Sequence, residues 1–134
     1  MGETPGMRLG GSRVATPDSF AFVQESEVIQ LEAWGLLFPR VVNIWGVGFD
    51  EAMYVWSDPG SGWSQRINGR PDEVRVRVGD NVYAVRATQV SDANETARVA
   101  AAYQAKYAEQ MVEPYGEVSP VEDFELLYRL TPRN

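Results

Sequence analysis

The sequence predicts an α+β domain: a small, mainly antiparallel barrel of six short strands with flanking helices. Two observations lead to this fold class. Short stretches of alternating apolar and polar residues are separated by glycine-containing turns, as in antiparallel strands. After Asp92 the apolar period changes from two residues to about four, which indicates one long helix before a last strand. Six short strands are too few for a sandwich and suit a small barrel.

The length of the chain fits one domain. With 134 residues, of which 44% are hydrophobic, it can build a single core. We assign residues 16–134 to this domain and residues 1–15, which are rich in glycine and poor in apolar anchors, to a mobile N-terminal arm. No apolar run is long enough for a signal peptide or a membrane span, so we expect a cytoplasmic protein.

The first half of the domain contains one short helix and three strands. Thr16 can cap a helix that begins at Pro17 and reaches about Gln24. In the first strand Ile29, Leu31 and Ala33 face one way and Gln30 and Glu32 the other. Gly46 and Gly48 in the second strand indicate a bend, a bulge or a close approach to the backbone. The predicted strands are Glu27–Trp34, Val41–Phe49 and Ala52–Ser57.

The second half begins with a short helix that Ser61 can cap. In the clearest strand Val74, Val76 and Val78 face inward while Arg75 and Arg77 face out. The long helix begins with Asp92 and Glu95 in capping-box spacing. The predicted elements are a helix to about Asn68, strands Glu73–Val78 and Val82–Val90 joined by a hairpin turn, a helix from Asp92 to about Gln110 and a strand Phe124–Leu130.

The composition excludes several classes of function. A net charge of −7 argues against a nucleic-acid binder or a peripheral membrane protein, since both need a cationic face. The absence of cysteine removes disulfides and thiolate sites, and the absence of histidine removes imidazole acid–base chemistry and imidazole metal sites. Six carboxylates between Glu109 and Glu125 lack the spacing of a calcium loop, so we predict no metal site.

One segment is cationic within this acidic chain. Between Trp63 and Arg86 five arginines stand against three acids. These arginines can receive a phosphate, helped by the backbone N–H groups of Gly60, Ser61 and Gly62 at a helix start. The alternative is that they are ordinary solvated side chains of a hairpin.

The aromatic residues also have two interpretations. The four tryptophans, with Tyr54 and Tyr83, can line a slot for a planar ring, or they can fill a core. Trp63 is the best ligand candidate because it starts a helix after a glycine loop, and we assign Trp34, Trp45 and Trp56 to the core. We interpret Tyr103 and Tyr107 as core residues, with Lys106 exposed between them.

Four motifs lie between Arg40 and Val90: Met53-Tyr-Val-Trp-Ser57, Gly60-Ser-Gly-Trp63 with Arg66, Val74-Arg-Val-Arg-Val78 and Tyr83-Ala-Val-Arg86. They resemble those of the FMN-binding split barrels, a superfamily that includes pyridoxamine phosphate oxidase and the deazaflavin-dependent nitroreductases. The helical motif Ala102-Tyr-Gln-Ala-Lys-Tyr107 is similar to that of an uncharacterised bacterial branch. The resemblance extends from about Glu27 to Leu130 and implies a split β-barrel.

This resemblance also implies a ligand and a partner. The superfamily is typically homodimeric, with FMN or a deazaflavin between the protomers, and the cofactor carries the redox chemistry. Carried over by position, Ser57, Ser61 and Arg66 approach the phosphate, Trp63 shields it, and Asn43 and Tyr54 border the ring. Typical FMN members carry more Lys and Arg around the phosphate than this chain, which has one lysine.

Two functions remain open from the sequence. One is a flavin- or deazaflavin-dependent oxidoreductase that acts on a small organic molecule. The other is a cofactor-free barrel whose aromatic cavity binds or shapes an apolar small molecule, as a biosynthetic cyclase, an isomerase or a binding protein. Neither interpretation identifies a catalytic residue.

Overall fold

A computed structural model describes residues 10–14, 17–35, 37–57, 62–115 and 126–133. Several sequence predictions fall outside these residues. They are residues 1–9 and 15 of the N-terminal arm, the N-cap at Thr16, the loop residues Gly60 and Ser61, and residues 116–125, which include the end of the acidic stretch and the start of the predicted last strand.

The described chain contains eight strands, two α-helices and one 3-10 helix. The short helix predicted from Pro17 is the 3-10 helix Ala21–Glu25. The strands are β1 Ser12–Arg13, β2 Ile29–Trp34, β3 Pro39–Ile44, β4 Gly46–Gly48, β5 Met53–Ser57, β6 Val74–Val78, β7 Asn81–Gln89 and β8 Leu126–Pro132. The helices are α1 Gly62–Gly69 and α2 Ala93–Tyr115. Neither α-helix is both long enough and apolar enough to cross a membrane.

Seven strands form one antiparallel path in the order β3-β2-β6-β7-β8-β5-β4. The sheet curls into a half-barrel, which confirms the α+β antiparallel class. The predicted count of six strands is wrong, because the predicted strand Val41–Phe49 divides at Trp45. Its first part pairs with β2 and its second with β5, near opposite ends of the path, so the chain bends between them.

The two-residue strand β1 lies within the segment predicted to be a mobile arm. It pairs in parallel with β7, and the Ser12 N–H donates to the Asp80 carbonyl at 2.7 Å. The Val14 N–H continues this ladder to the Val82 carbonyl at 3.0 Å.

Apolar side chains fill both faces of the curled sheet. On β6 the predicted alternation is confirmed, since Val74, Val76 and Val78 are buried on the concave side. We call this cluster the inner core. A second cluster, the helix core, lies between α2 and the strands β4, β5 and β8. Its largest fully buried members are Tyr54, Tyr103, Tyr107, Met111 and Leu127.

The polar face of β2 carries a buried ion pair. The Glu32 carboxylate accepts from Arg75 Nε at 2.8 Å and from its terminal nitrogen at 2.9 Å, and Glu32 is fully buried. A buried carboxylate needs such a partner, because removing an ion from water is costly. The alternative interpretation, that Arg75 is an ordinary solvated side chain of a hairpin, is therefore wrong, because its guanidinium is paired with Glu32.

The start of α2 confirms the predicted cap at Asp92. The Asp92 carboxylate accepts from the Glu95 N–H at 2.8 Å, which satisfies one of the unpaired donors of the first turn. Along the helix the predicted stripe faces the helix core, where Val99, Tyr103 and Met111 are fully buried. The helix departs from helical geometry at Tyr107 (φ −113°, ψ 20°), which lies within this buried stripe.

Gly48 is the position where the sheet meets the 3-10 helix most closely. A Cβ atom there would overlap the Phe20 carbonyl oxygen and lie 2.8 Å from the Val23 Cβ. The predicted close approach to the backbone is confirmed at this glycine. Because the obstructing atoms are backbone or Cβ atoms, no side-chain rotation can relieve the overlap.

We expect Gly48→Ala to lower the free energy of unfolding by about 3 kcal/mol, since overpacking forces the backbone apart. Gly69→Ala is the matched control. Nothing lies within 4 Å of a Cβ at Gly69, so we expect a change of less than about 1 kcal/mol. Urea denaturation of the two variants measures the difference. Equal stabilities would contradict the close approach at Gly48.

Candidate functional site

Three of the predicted ligand residues lie at the end of β5 or in α1. Ser57 ends β5 and is buried on the inner-core face, in line with Met53 and Val55. Trp63 and Arg66 stand in the first turn and a half of α1. Residues 58–61 lie outside the described chain, so the predicted contribution of Gly60 and Ser61 to a phosphate cradle stays a prediction.

Arg66 packs against the turn between β2 and β3. A Cβ at Gly35 would lie 2.9 Å from Arg66 Nε, so the guanidinium rests on the backbone of this turn. Arg66 Nε is buried and has no hydrogen-bond partner within the described chain. Because buried donors are nearly always paired, an unsatisfied guanidinium N–H marks a place where an acceptor is missing.

The other four arginines of the cationic segment are engaged with carboxylates. Their ion pairs are Arg70–Glu73 at 3.2 Å, Arg75–Glu32 at 2.8 Å, Arg77–Asp80 at 3.1 Å and Arg86–Asp72 at 2.6 Å. The segment therefore does not present five cations to one anion. Within the described residues it leaves Arg66 as the arginine of this segment without an acidic partner.

Aromatic rings border α1 on two sides. Trp63 packs against the inner core and lies 6.2 Å from the Tyr128 ring, whose hydroxyl donates to Asn68 at 3.0 Å. Trp34, at the end of β2, lies beneath the Arg70 guanidinium at 5.6 Å. The structure does not gather all four tryptophans into one slot, because Trp45 and Trp56 pack against the helix core instead.

The structure does not bring Tyr54 and Asn43 together with Ser57. Tyr54 lies on the opposite face of β5, in the helix core, and donates to Glu95 at 2.6 Å. Burial, reinforced by the Glu95 carboxylate, raises the pKa of Tyr54 to about 12. Asn43 is exposed on β3 and accepts from Gln30 at 3.2 Å. Their predicted places beside a cofactor ring stay predictions.

Glu95 is the centre of a charged network at the start of α2. Arg129 donates to both Glu95 carboxylate oxygens at 2.7 Å, and Tyr54 donates to one of them. Burial opposes ionisation of Glu95, but these hydrogen bonds hold its pKa below the usual value. The network fixes the helix to β5 and β8.

Side chains of α2 hold the junction between β3 and β4. Tyr103 donates to the Trp45 carbonyl at 2.9 Å, and Tyr107 both accepts from the Gly46 N–H at 3.1 Å and donates to the Glu27 carbonyl at 2.5 Å. We call Tyr103, Lys106 and Tyr107 the α2 clamp.

Lys106 is not the exposed residue that the sequence suggested. Its Nζ donates to the Val23 carbonyl at 2.7 Å and to the Gly46 carbonyl at 2.6 Å, and it lies 4.9 Å from the Tyr107 ring centroid. Burial lowers the pKa of Lys106 to about 8, although the nearby Glu27 carboxylate opposes this shift. One feature of the sequence could have indicated this burial: Lys106 lies between two tyrosines of the buried stripe.

Within the described residues no group of three or more acidic, histidine or cysteine side chains could hold a metal ion.

No protein-family model matches the chain, and no curated protein matches it in sequence. Solved structures with the same fold do match. A provisionally assigned pyridoxamine 5′-phosphate oxidase of Listeria innocua is 14% identical, with a TM-score of 0.62 over 85% of this chain and 90% of its own. A FAD-binding protein of Mesorhizobium loti is 16% identical, with a TM-score of 0.61 over 84% of this chain and 85% of its own.

Two further structures show how varied the ligands of this fold are. An F420-H2-dependent reductase is 17% identical, with a TM-score of 0.54 over 78% of this chain and 93% of its own. HutZ, the haem storage protein of Vibrio cholerae, is 20% identical, with a TM-score of 0.58 over 84% and 86% of the two chains. Identities this low establish a shared fold and no shared ligand.

We expect Lys106 to make stability depend on pH in the alkaline range. Its native pKa of about 8 lies below the ordinary 10.5. Between these values the unfolded chain binds more protons, so the free energy of unfolding rises with pH. Urea denaturation across this window measures the rise.

Lys106→Arg is the matched control, because arginine keeps its charge in both states throughout the window. Wild type should gain stability relative to this variant as the pH passes from about 8 towards 10.5. Tyrosine ionisation affects both proteins alike, so it cancels in the comparison. A constant difference in stability across the window would contradict the burial of the amine.

Proposed function

From the FMN-binding split-barrel fold of this chain, we propose that the protein is a flavin- or deazaflavin-dependent oxidoreductase acting on a small organic molecule. We further propose that it acts in the cytoplasm as a homodimer. The observation that supports this most directly is Arg66, whose half-buried guanidinium has a buried Nε without an acceptor. A phosphate oxygen is the acceptor that arginine binds best.

Arg66 lies where a cofactor phosphate can be received with little reorganisation. Its guanidinium is held against the turn at Gly35, so its direction is set before any ligand arrives. Arg66 belongs to the short helix α1, and a helix N-terminus favours negative charge. We propose that Ser57, Gly60, Ser61 and Gly62 complete this cradle.

The rings near α1 suit the organic part of the cofactor. Trp63 stands one helical turn before Arg66 and is partly buried against the inner core. We propose that its indole shields the bound phosphate from water, which strengthens the interaction with Arg66 by lowering the local dielectric constant. Tyr54 lies on the other face of β5 from Ser57, and Asn43 lies on β3. For these two residues to contact the cofactor ring, the ring must extend beyond the face of β5 that carries Ser57.

A flavin-type cofactor suits this residue set better than haem. Haem iron is usually held by histidine, cysteine, methionine or tyrosine. The chain contains no histidine or cysteine, so only methionine and tyrosine could serve. A flavin or deazaflavin brings its own redox chemistry, so the protein supplies binding, orientation and exclusion of water. The fold is shared with both kinds of protein, and the side chains favour the flavin type.

The turn between β2 and β3 supports the proposed dimer. Leu37 is 74% exposed and Phe38 is 55% exposed, and both stand beside Gly35, where Arg66 packs. Adjacent exposed apolar side chains offer a surface that a partner could cover. A second copy that covers this turn would also close the proposed cofactor site from outside.

We expect FMN or a deazaflavin to bind saturably, with one site per protomer, in a particle whose light-scattering mass is that of two chains. A visible absorbance spectrum of the purified protein, followed by titration with each cofactor, measures this. A colourless protein that binds neither cofactor would contradict the proposal. It would favour the cofactor-free barrel that the sequence left open.

We expect Arg66→Ala to weaken cofactor binding by about 1.5–3 kcal/mol, the usual contribution of a charge-assisted hydrogen bond. Arg86→Ala is the matched control, because Arg86 is exposed on β7 and paired with Asp72, and its loss should leave the affinity unchanged. Fluorescence titration of both variants, with urea denaturation to confirm folding, compares them. Equal affinities would show that Arg66 does not bind the phosphate.

A further inference from the structure

Four oxidisable rings follow one another in a continuous row of ring contacts beside α2. Trp45 lies parallel to Tyr107, with ring centroids 4.5 Å apart and an angle of 6° between the planes. Tyr107 stacks on Tyr103 at 5.7 Å and 28°, and Tyr103 meets the edge of Trp56 at 5.7 Å and 73°. We call these four residues the aromatic ladder.

We propose that the aromatic ladder transfers single oxidising equivalents between Trp56 and Trp45. Indole and phenol are the side chains most readily oxidised by one electron in a chain without cysteine. Rings in van der Waals contact couple electronically, so a charge on one indole can reach the other through the two phenols between them. This activity goes beyond the proposed function and does not depend on a bound cofactor.

The surroundings of the two phenols disfavour a positive charge that stays on them. The phenols therefore mediate transfer between the two indoles without holding the charge. A phenol that loses an electron must also lose its proton, and both phenols donate to backbone carbonyls, which are poor bases. Burial raises the pKa of Tyr107 to about 12 and that of Tyr103 well above its usual value. Lys106 lies 4.9 Å from the Tyr107 ring, and its positive charge disfavours a second one there.

The two indoles are suited to hold the charge. Trp45 and Trp56 are both partly exposed, so each can exchange an electron with a molecule in solution. Trp56 immediately precedes Ser57 at the proposed cofactor site. Trp45 lies at the junction of β3 and β4. The aromatic ladder therefore connects the end of β5 with the junction of β3 and β4.

The electron balance closes with an external one-electron oxidant, the azide radical, which becomes azide, and an external thiol. The oxidant takes one electron from Trp56 and is reduced by one electron. An electron from Trp45 then passes through Tyr107 and Tyr103 and restores Trp56. Trp45 is left oxidised and loses its indole N–H proton to water, and a soluble thiol returns one hydrogen atom to that nitrogen. The thiol becomes a thiyl radical, and two thiyl radicals combine to a disulfide.

Pulse radiolysis with the azide radical, which oxidises indoles in preference to phenols, tests the proposal on the cofactor-free protein. Mass spectrometry of tryptic and chymotryptic peptides then measures stable oxidation at each tryptophan. We expect Trp45→Phe to raise oxidation of Trp56 about twofold. In the wild type the oxidising equivalent is shared between the two indoles, and in the variant Trp56 alone can hold it. Trp34→Phe is the matched control, since Trp34 lies beneath Arg70 and outside the ladder.

A double-mutant cycle shows whether the effect passes through the phenols. Phenylalanine keeps the ring packing but is far harder to oxidise. In the background of Tyr103→Phe and Tyr107→Phe, replacement of Trp45 should no longer change the oxidation of Trp56. If these two substitutions prevent folding, Tyr103→Phe alone takes their place.

Two results would overturn the proposal. One is an oxidation yield at Trp56 that is the same with and without Trp45. The other is an effect of Trp45→Phe that persists when the phenols are absent. Because no cofactor is added, a failure here is distinct from a failure to bind FMN or a deazaflavin.

Discussion

The structure depends on the contact between α2 and the junction of β3 and β4. Around Trp45 the chain leaves one end of the sheet path and enters the other, so the regular ladder of hydrogen bonds is interrupted. Backbone carbonyls buried at such a break need other donors. The α2 clamp supplies them to Val23, Glu27, Trp45 and Gly46. The same three side chains thus fix the curl of the sheet and the position of the helix.

A second consequence of this contact is the arrangement of β5. Its residues alternate between the inner core, which holds Met53, Val55 and Ser57, and the helix core, which holds Tyr54 and Trp56. The proposed cofactor site opens from the first face and the aromatic ladder runs along the second. Adjacent residues of β5, Trp56 and Ser57, therefore belong to the aromatic ladder and to the proposed cofactor site.

Most arginines of the cationic segment are paired with carboxylates and do not form a separate positive surface. Although five arginines cluster in sequence, four of them contact carboxylates, including the fully buried Glu32. Local charge density is thus a poor guide to an anion site here. A more specific observation is a buried guanidinium nitrogen without a hydrogen-bond partner, and Arg66 Nε meets that description within the described chain.

The sequence by itself determined the class of the fold, the alternation of β6, the stripe of α2 and its cap at Asp92. These features follow from periods and caps that act over a few residues. The sequence also indicated Arg66 as a candidate phosphate ligand, because Arg66 follows a glycine loop. Only the tertiary structure decided that Val41–Phe49 divides at Trp45, that Glu32 and Arg75 form a buried pair, and that Lys106 is enclosed by carbonyls. Each of these depends on a partner between 43 and 83 residues away in the chain or on pairing at distant strands, and no local pattern specifies which partner a polar side chain will meet.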